Sequence, residues 1–255
     1  MPPSDEVRWP AGRPERRPEP GAGDVADLIA RGVGDAPPDE VPGRLCGVLV
    51  RLLPVSGASV SLRSDGVPVR LCASGERADR VAEIQATLGD GPCVHAARTG
   101  APVLVRDLTE DAAVGRWPVY AQQAAAAGVR AVYALPLGSD TVCLGTLDLY
   151  RDIPGGLTDE QLRTAWLIAG VMTMALMALP HGEDDERPGG RSWLNGPAGG
   201  HDRVHQAVGM IMAQLGIGSE EALARLRGHA FSHGRTVQEA AEDVISNRRR
   251  LNPDD

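Results

Sequence analysis

A stretch of low apolar content divides this chain more sharply than any other sequence feature. Residues 181–200 read HGEDDERPGGRSWLNGPAGG, which is rich in Gly, Pro and acidic residues. Such a composition cannot bury enough apolar surface to offset the entropy of ordering, so we predict a flexible linker here. Residues 1–23 are rich in Pro and Arg and are predicted to be disordered for the same reason. Two folded regions remain, at 24–180 and at 201–251.

The first region alternates helical and strand patterns. Leu45, Val48, Leu49 and Leu52 recur at helical spacing. A Ser-Asp-Gly turn signal at 64–66 separates two strand-like runs, which predicts a hairpin. The predicted strands are 58–62, 67–73, 102–106, 129–137 and 141–150, and the other predicted helices are 77–88, 92–98, 117–127 and one from Thr158. This order predicts an α+β fold, with an antiparallel sheet flanked by helices.

The second region is helical throughout. A first helix is predicted from 202 to 215, ended by Gly216, and Ser219 is the predicted N-cap of a second helix. Thr236 and Glu239 form a capping-box pattern that opens a third. Short loops make the three helices pack as a small all-α bundle. Val204, Val208, Ile211 and Leu215 form an apolar stripe on the first helix, and Ala207, Met210 and Met212 widen it. That helix either contacts a partner outside the bundle or is wrapped by its neighbours and the linker.

Charge is distributed unevenly along the chain. The formal net charge is −8, which argues against a polyanion-binding surface over the whole protein. The 201–251 region has seven Arg against six acids and four of the six His, so it is mildly basic. No lysine is present, and Arg binds phosphate bidentately through its planar guanidinium. A phosphate-bearing partner is therefore compatible with the second region.

The cysteines and apolar segments indicate a cytoplasmic protein. Four Cys are scattered without CxxC spacing, which predicts reduced thiols, and no secretory signal pattern occurs at the N-terminus. The uncharged run 165–179 is shorter than the roughly 20 residues needed to span a membrane. We predict that it is a helix with one face in the core and the other in a homodimer interface.

Patterns that would indicate catalysis are missing from the sequence. It contains no P-loop, no GxSxG, no HExxH and no GxGxxG after a strand, so we predict that the protein is not an enzyme. Two His pairs at i, i+4 spacing, 201/205 and 229/233, could ligate zinc, but no Cys or carboxylate completes either set. We therefore expect neither a metal nor a cofactor.

Several motifs in both regions carry a family resemblance. In the first region they are QATLGDGPC (85–93), APVLVRDL (101–108), RWP (116–118), LPL (135–137) and LGTLDLY (144–150). In the second they are QAVGMIM (206–212), EALARLR (221–227) and RTV (235–237). The first region resembles a GAF domain of the actinobacterial kind, and the second resembles an ANTAR domain.

The resemblance implies a function. ANTAR domains bind paired stem-loops in nascent RNA, block a transcription terminator and work as dimers. The chain would then be a signal-responsive RNA-binding antitermination regulator, in which the GAF domain controls the ANTAR domain. The residues that we expect to contact RNA are Arg203, Gln206, Gly209, Arg225, Arg227, Arg235 and Thr236. The family often has Lys where this sequence has Val208, which removes one candidate phosphate contact.

The basis for these site residues differs from one to the next. Gly209 is mid-helix, where glycine costs about 0.5–1 kcal/mol relative to alanine, which suggests close backbone approach. Arg227, Arg235 and Thr236 lie near the turn before the third helix, whose free N–H groups suit a phosphate. The alternative function is a metabolite- or redox-sensing module whose C-terminal bundle mediates protein docking or dimerisation without nucleic acid.

Two residues are candidates for a sensor pocket in the first region. Cys93 follows Gly-Pro at a helix start, where a thiol is either activated by the helix N-terminus or is simply small and buried at a tight turn. Asp148 alternates with Leu147 and Leu149 on a strand, so it faces either a pocket or solvent. The sequence does not identify the ligand.

Overall fold

The computed structural model describes residues 22–64, 67–139, 142–179 and 199–246. Most of the predicted disordered segment, 1–23, and most of the predicted linker, 181–200, lie outside the described residues.

The first domain is built on a five-stranded sheet in the order β2-β1-β5-β4-β3. Every neighbouring pair of strands is antiparallel. The strands are β1 (Gly57–Ser64), β2 (Val67–Ala73), β3 (Val103–Val105), β4 (Ala131–Gly138) and β5 (Cys143–Arg151). The helices are α1 (Ala22–Val33), α2 (Val41–Leu52), α3 (Glu76–Leu88), α4 (Pro92–Thr99), α5 (Asp111–Arg116), α6 (Pro118–Ala126) and α7 (Asp159–Met177). The predicted α+β fold with an antiparallel sheet flanked by helices is confirmed.

The helix predicted over 117–127 is present as α6, but the short helix before it, α5, was not predicted. Trp117 between them has φ −136° and ψ 65°, outside the helical region, because a residue before proline is sterically excluded from that region. The sequence patterns also missed α1.

The side chains of the sheet divide between two helical layers. Leu147 and Leu149 on β5 point into the core formed with α2 and α7. Tyr150 on the same strand points the other way, into the core formed with α3, α4 and α6. Because side chains alternate along a strand, Thr146 and Asp148 share the second face with Tyr150. That face holds the candidate sensor residues.

The second domain is a bundle of α8 (Gly199–Leu215), α9 (Ser219–Ser232) and α10 (Val237–Ile245). Its core includes Val204, Ile211 and Leu226, all at most 2% exposed. Thr236 and Glu239 form the predicted capping box of α10. Ser219, the predicted N-cap of α9, is instead its first helical residue. Gly218 occupies the N-cap position because its carbonyl accepts the first helical bond, from the Ala222 N–H.

The apolar helix α7 spans 19 residues and starts at a capping box formed by Thr158 and Gln161. Among the described residues, no helix is long and apolar enough to cross a membrane.

Candidate functional site

A row of polar side chains lies inside the first domain, on the face of the sheet towards α3 and α4. Ser59 pairs in register with Asp148, and Ser61 pairs with Thr146, on the adjacent strands β1 and β5. All four residues are at most 3% exposed. The Ser59 hydroxyl lies 2.9 Å from the phenolic oxygen of Tyr150. The row is therefore a buried polar patch within an otherwise apolar core.

Asp148 is the only carboxylate in this patch among the described residues, and it is fully buried. Burial raises the pKa of Asp148 to about 7, while the nearby groups of Cys93, Thr146, Gln85 and Tyr150 oppose the shift. None of them makes a hydrogen bond of ordinary geometry to either carboxylate oxygen, so both oxygens lack a partner within the described chain. A buried carboxyl that titrates near neutral pH is typical of functional sites.

Cys93 lies beside Asp148 at the start of α4. Its backbone N–H donates to the Gln85 side-chain oxygen at 2.8 Å, which ties α4 to α3. Burial raises the pKa of the Cys93 thiol well above its usual value, and the charge of Asp148 raises it further. The structure therefore places Cys93 in a site that disfavours the reactive thiolate, although it is near a helix N-terminus.

A small pocket of about 170 Å³ opens next to Cys93, between α4 and strands β1 and β5. Cys93 and Thr146 contribute to its walls, together with Arg63 and Arg98. Asp148 does not line this pocket, because it lies buried behind Cys93 and Thr146. The structure thus brings the two predicted sensor residues together, and one of them reaches a cavity.

In the second domain, three of the predicted contact residues share one exposed face of α8. Arg203, Gln206 and Gly209 follow each other at intervals of three residues, and all are exposed. No described atom lies within 4 Å of where a Cβ on Gly209 would be. The close approach expected at Gly209 therefore involves no described element of this chain. Arg203 forms an ion pair with Glu242 of α10.

The two predicted arginines of α9 point in different directions, because two residues along a helix turn through about 200°. Arg225 is half-buried and forms an ion pair with Glu221 at 3.1 Å. Arg227 instead packs against the first domain, at the Gly89 turn after α3. The Nε and Nη2 atoms of Arg227 are buried without a hydrogen-bond partner in the described structure. Burial lowers the pKa of Arg227.

Gly89 meets two requirements at once. Its φ of 63° lies in the left-handed region, and its N–H donates to the Gln85 carbonyl, ending α3. A Cβ at this position would overlap the Arg227 guanidinium. Only glycine therefore satisfies both the helix end and the contact between domains.

The start of α10 also touches the first domain. The Val237 N–H, one of the free amides of that helix terminus, donates to the Thr87 hydroxyl at 3.1 Å. Thr236 caps the helix through the Glu239 N–H. Arg235 forms ion pairs with Asp243 and Glu239. The seven predicted residues therefore do not converge: one group lies on the open face of α8, whereas Arg227 and the start of α10 adjoin the first domain.

Sequence patterns missed the residues of the first domain that make this contact. Ala86, Thr87 and Gly89 lie within the motif that carries the family resemblance, but nothing in that motif indicates their partner. The one local feature that marks this contact is the left-handed conformation of Gly89 at a buried helix end. Only the folded structure shows that α9 packs against that helix end. Gln85 was missed as well, because a glutamine in a helix ordinarily faces solvent.

Among the residues that the structure describes, no group of three or more His, Cys, Asp and Glu side chains could hold a metal ion.

The domain families agree with this architecture. Residues 35–177 match the GAF domain, which covers more than half of the 255 residues. Residues 199–245 match the ANTAR domain. The chain belongs to the GAF domain family and carries a C-terminal ANTAR domain. Both are regulatory domains, and their order gives a GAF sensor domain followed by an ANTAR output domain.

Several solved structures are similar to this chain at low sequence identity. The GAF domain of an Acinetobacter phosphoenolpyruvate-protein phosphotransferase is 8% identical, with a TM-score of 0.47, over 60% of this chain and 90% of that one. The free methionine-R-sulfoxide reductase from Neisseria meningitidis is 15% identical, with a TM-score of 0.44, over 60% of this chain and 86% of that one. A search of curated proteins gives no match.

Proposed function

We propose that this protein is a signal-responsive, RNA-binding transcription antitermination regulator of the cytoplasm. Its ANTAR domain binds paired stem-loops in nascent transcripts, and its GAF domain controls that binding. The observation that carries the proposal is the ANTAR bundle with an open α8 face, on which Arg203 and Gln206 are followed by Gly209, a glycine that no other described element approaches.

This α8 face suits a nucleic acid for physical reasons. Arg203 and Gln206 offer hydrogen-bond donors for phosphates and base edges, and exposed Gly209 allows a backbone to approach closely. The ion pair between Arg203 and Glu242 is exposed, so its loss on binding costs less than about 1 kcal/mol. RNA phosphates therefore compete readily for this arginine.

The sensor site that we propose is the pocket beside Cys93. Arg63 and Arg98 line it, which favours a small anionic ligand, and its volume of about 170 Å³ is below the roughly 300 Å³ at which pockets for drug-sized ligands begin. Asp148 and Gln85 lie behind the pocket and support its wall. Because burial keeps the Cys93 thiol protonated, the pocket suits reversible binding better than thiol chemistry.

The protein is proposed to act as a homodimer through α7. Arg163, Leu167, Gly170, Met174 and Met177 are exposed and follow each other at alternating intervals of four and three residues. That spacing forms the seam of a two-helix coiled coil. The partner that we propose for this seam is α7 of a second copy, because the same surface of both copies then forms one isologous interface.

Crosslinking in cells that express the protein, followed by sequencing of the bound RNA, tests the function directly. We expect enrichment of transcript leaders with two adjacent stem-loops upstream of a terminator. Enrichment of no RNA over a mock purification would contradict the proposal and favour the alternative, a docking or dimerisation bundle.

A matched pair of variants tests the site assignment. Arg225→Gln removes an ion pair between residues i and i+4 on α9, and Arg44→Gln removes one with the same spacing, to Glu40, at the start of α2 of the GAF domain. We expect Arg203→Gln and Arg225→Gln to weaken RNA binding and to reduce its salt dependence, because each removes a phosphate contact. Arg44→Gln should change neither. Equal effects of all three substitutions would rule out a local RNA site.

A further inference from the structure

The GAF and ANTAR domains meet at the C-terminal end of α3. The Ala86 side chain is 5% exposed and belongs to the apolar core of the ANTAR domain rather than to that of its own domain. The next residue, Thr87, accepts the Val237 N–H, and the turn at Gly89 lies against Arg227. Ala86, Thr87 and Gly89, at the end of α3, thus contact α9 and the start of α10.

The features that this contact covers are those best suited to phosphate. The N-terminus of a helix offers free N–H groups and a favourable dipole to an anion, and here Thr87 occupies the Val237 N–H. Arginine binds phosphate through two parallel hydrogen bonds, and here the Arg227 Nε and Nη2 atoms face the GAF domain without a partner. RNA cannot reach either group while α3 is in place.

The contact also contains groups that destabilise the docked state. A buried charge without a partner disfavours the state in which it is buried. Arg227 has two buried nitrogens of this kind. Glu83 on α3 pairs with Arg70 through one oxygen, but its other oxygen is buried without a partner in the described structure, and Glu239 lies close enough to repel it. The contacts that oppose these costs, which include the buried Ala86 side chain and the Thr87–Val237 hydrogen bond, involve only the end of one helix, so small changes shift the balance between docked and undocked states.

We propose that the docked arrangement is a masked state, in which the end of α3 covers the phosphate-binding groups of the ANTAR domain, and that undocking exposes them. This inference rests on the proposed RNA-binding function and names the regulatory surface of that function. Activation consists of releasing Arg227 and the Val237 amide from α3.

The route from the sensor site to this surface is short. Gln85 holds the Cys93 N–H at the start of α4, and Ala86 and Thr87 follow it directly on α3. A ligand in the pocket beside Cys93 that displaces the start of α4 therefore also displaces the end of α3, through the hydrogen bond between Cys93 and Gln85. That helix end is the one that covers the ANTAR domain. Ligand control requires only that the pocket has different affinities in the two states.

The test uses the full-length protein and two independent readouts. Ala86→Glu places a charge in the contact, and Ala112→Glu makes the same change at an exposed site on α5 as a control. Hydrogen exchange of the Val237 amide reports docking, because its acceptor is Thr87. Retention of a labelled pool of tandem stem-loop RNAs with randomised loops reports binding.

Ala86→Glu should accelerate exchange at Val237 and increase RNA retention by about tenfold, which corresponds to about 1.4 kcal/mol. Ala112→Glu should leave both unchanged. Adding Arg227→Ala to Ala86→Glu should remove the gain in retention. Thr87→Ala, which deletes the hydroxyl acceptor together with the γ-methyl group, should show the same effects more weakly. It replaces Ala86→Glu in the test if that variant fails to fold.

Each contrary outcome has a separate meaning. Faster exchange at Val237 with unchanged RNA retention would overturn the masking proposal and leave the RNA-binding function intact. Unchanged exchange in both Ala86→Glu and Thr87→Ala would overturn the docked state itself. If exchange accelerates but neither the variants nor the wild-type protein retains RNA, the proposed function itself fails.

Discussion

Asp148 and Arg227 both have buried polar atoms without a hydrogen-bond partner in the described structure, but they lie in different environments. For Asp148 these atoms are both carboxylate oxygens, and for Arg227 they are Nε and Nη2. Asp148 is inside the sheet core of the GAF domain, enclosed by β1, β5, α3 and α4. Arg227 is between two domains that share a small contact. The carboxyl responds to burial by binding a proton, as its pKa of about 7 shows. An arginine remains protonated in proteins, so neutralisation is not open to Arg227.

This difference shows two ways in which the free-energy cost of burying a charge is relieved. A charge inside a core must be neutralised, because exposing it would require unfolding the domain. A charge inside an interface is relieved when the interface opens, which costs little if the contact is small. The Asp148 patch therefore couples to pH, whereas the Arg227 contact couples to the separation of domains.

The largest effect is expected for Asp148→Asn. Because its pKa is raised to about 7, folded Asp148 keeps a proton that the unfolded chain loses above about pH 4. The free energy of unfolding should therefore fall as the pH rises from about 4 to 7 and level off above that. Asp148→Asn should remove this decline and stabilise the protein at pH 8 by up to about 4 kcal/mol. Denaturation at pH 4, 6 and 8 measures it, and parallel pH profiles of variant and wild type would contradict it.

A smaller gain is expected for Arg227→Met, which keeps an unbranched side chain in the contact and removes its charge. Replacing a buried unpaired charge with an apolar group should stabilise the docked state, by roughly 1–3 kcal/mol. Thermal unfolding and exchange at Val237 measure the change. Arg225→Met on the other side of α9 is the control and should stay within about 0.5 kcal/mol. Destabilisation by Arg227→Met alone would show that the guanidinium finds a partner in solution.

Losing a capping box should cost about 1 kcal/mol in either domain. Thr158 caps α7 and Thr236 caps α10 in the same way, each with a reciprocal bond to a Gln or Glu side chain. Thr158→Ala and Thr236→Ala should therefore destabilise their helices similarly. Only Thr236→Ala should also accelerate exchange at Val237, because it loosens the helix start that docks on Thr87. Equal exchange in the two variants would argue against that link.

The smallest effect is expected at Cys93. Its pKa is raised by burial and by Asp148, so iodoacetamide at pH 8 should modify it more slowly than the half-buried Cys72 and Cys143. Mass spectrometry of the native protein measures the rates, and the unfolded protein serves as the control. Rapid modification of native Cys93 would revive the thiol-sensor alternative.

Much of the fold was predictable because it depends on local patterns. The β1–β2 hairpin, the α10 capping box and the Pro92 start of α4 each follow from a few neighbouring residues whose preferences agree. The helix α5 was missed because its six residues are too few to show a helical repeat of apolar side chains. The sequence did not decide whether Asp148 faces a pocket or solvent, because alternation on a strand indicates which face a side chain is on but not what covers that face.

The sequence by itself determined the domain families, the helix caps and the set of residues able to bind phosphate. The tertiary structure decided which of those residues are available. Arg225 and Arg227 look alike in the motif EALARLR, yet Arg225 pairs with Glu221 of its own helix and Arg227 packs against Gly89 of the first domain. The burial of a charge depends on what lies across from it. For Arg227 that neighbour is a helix end far away in the sequence, which only the packing of the two domains brings into contact.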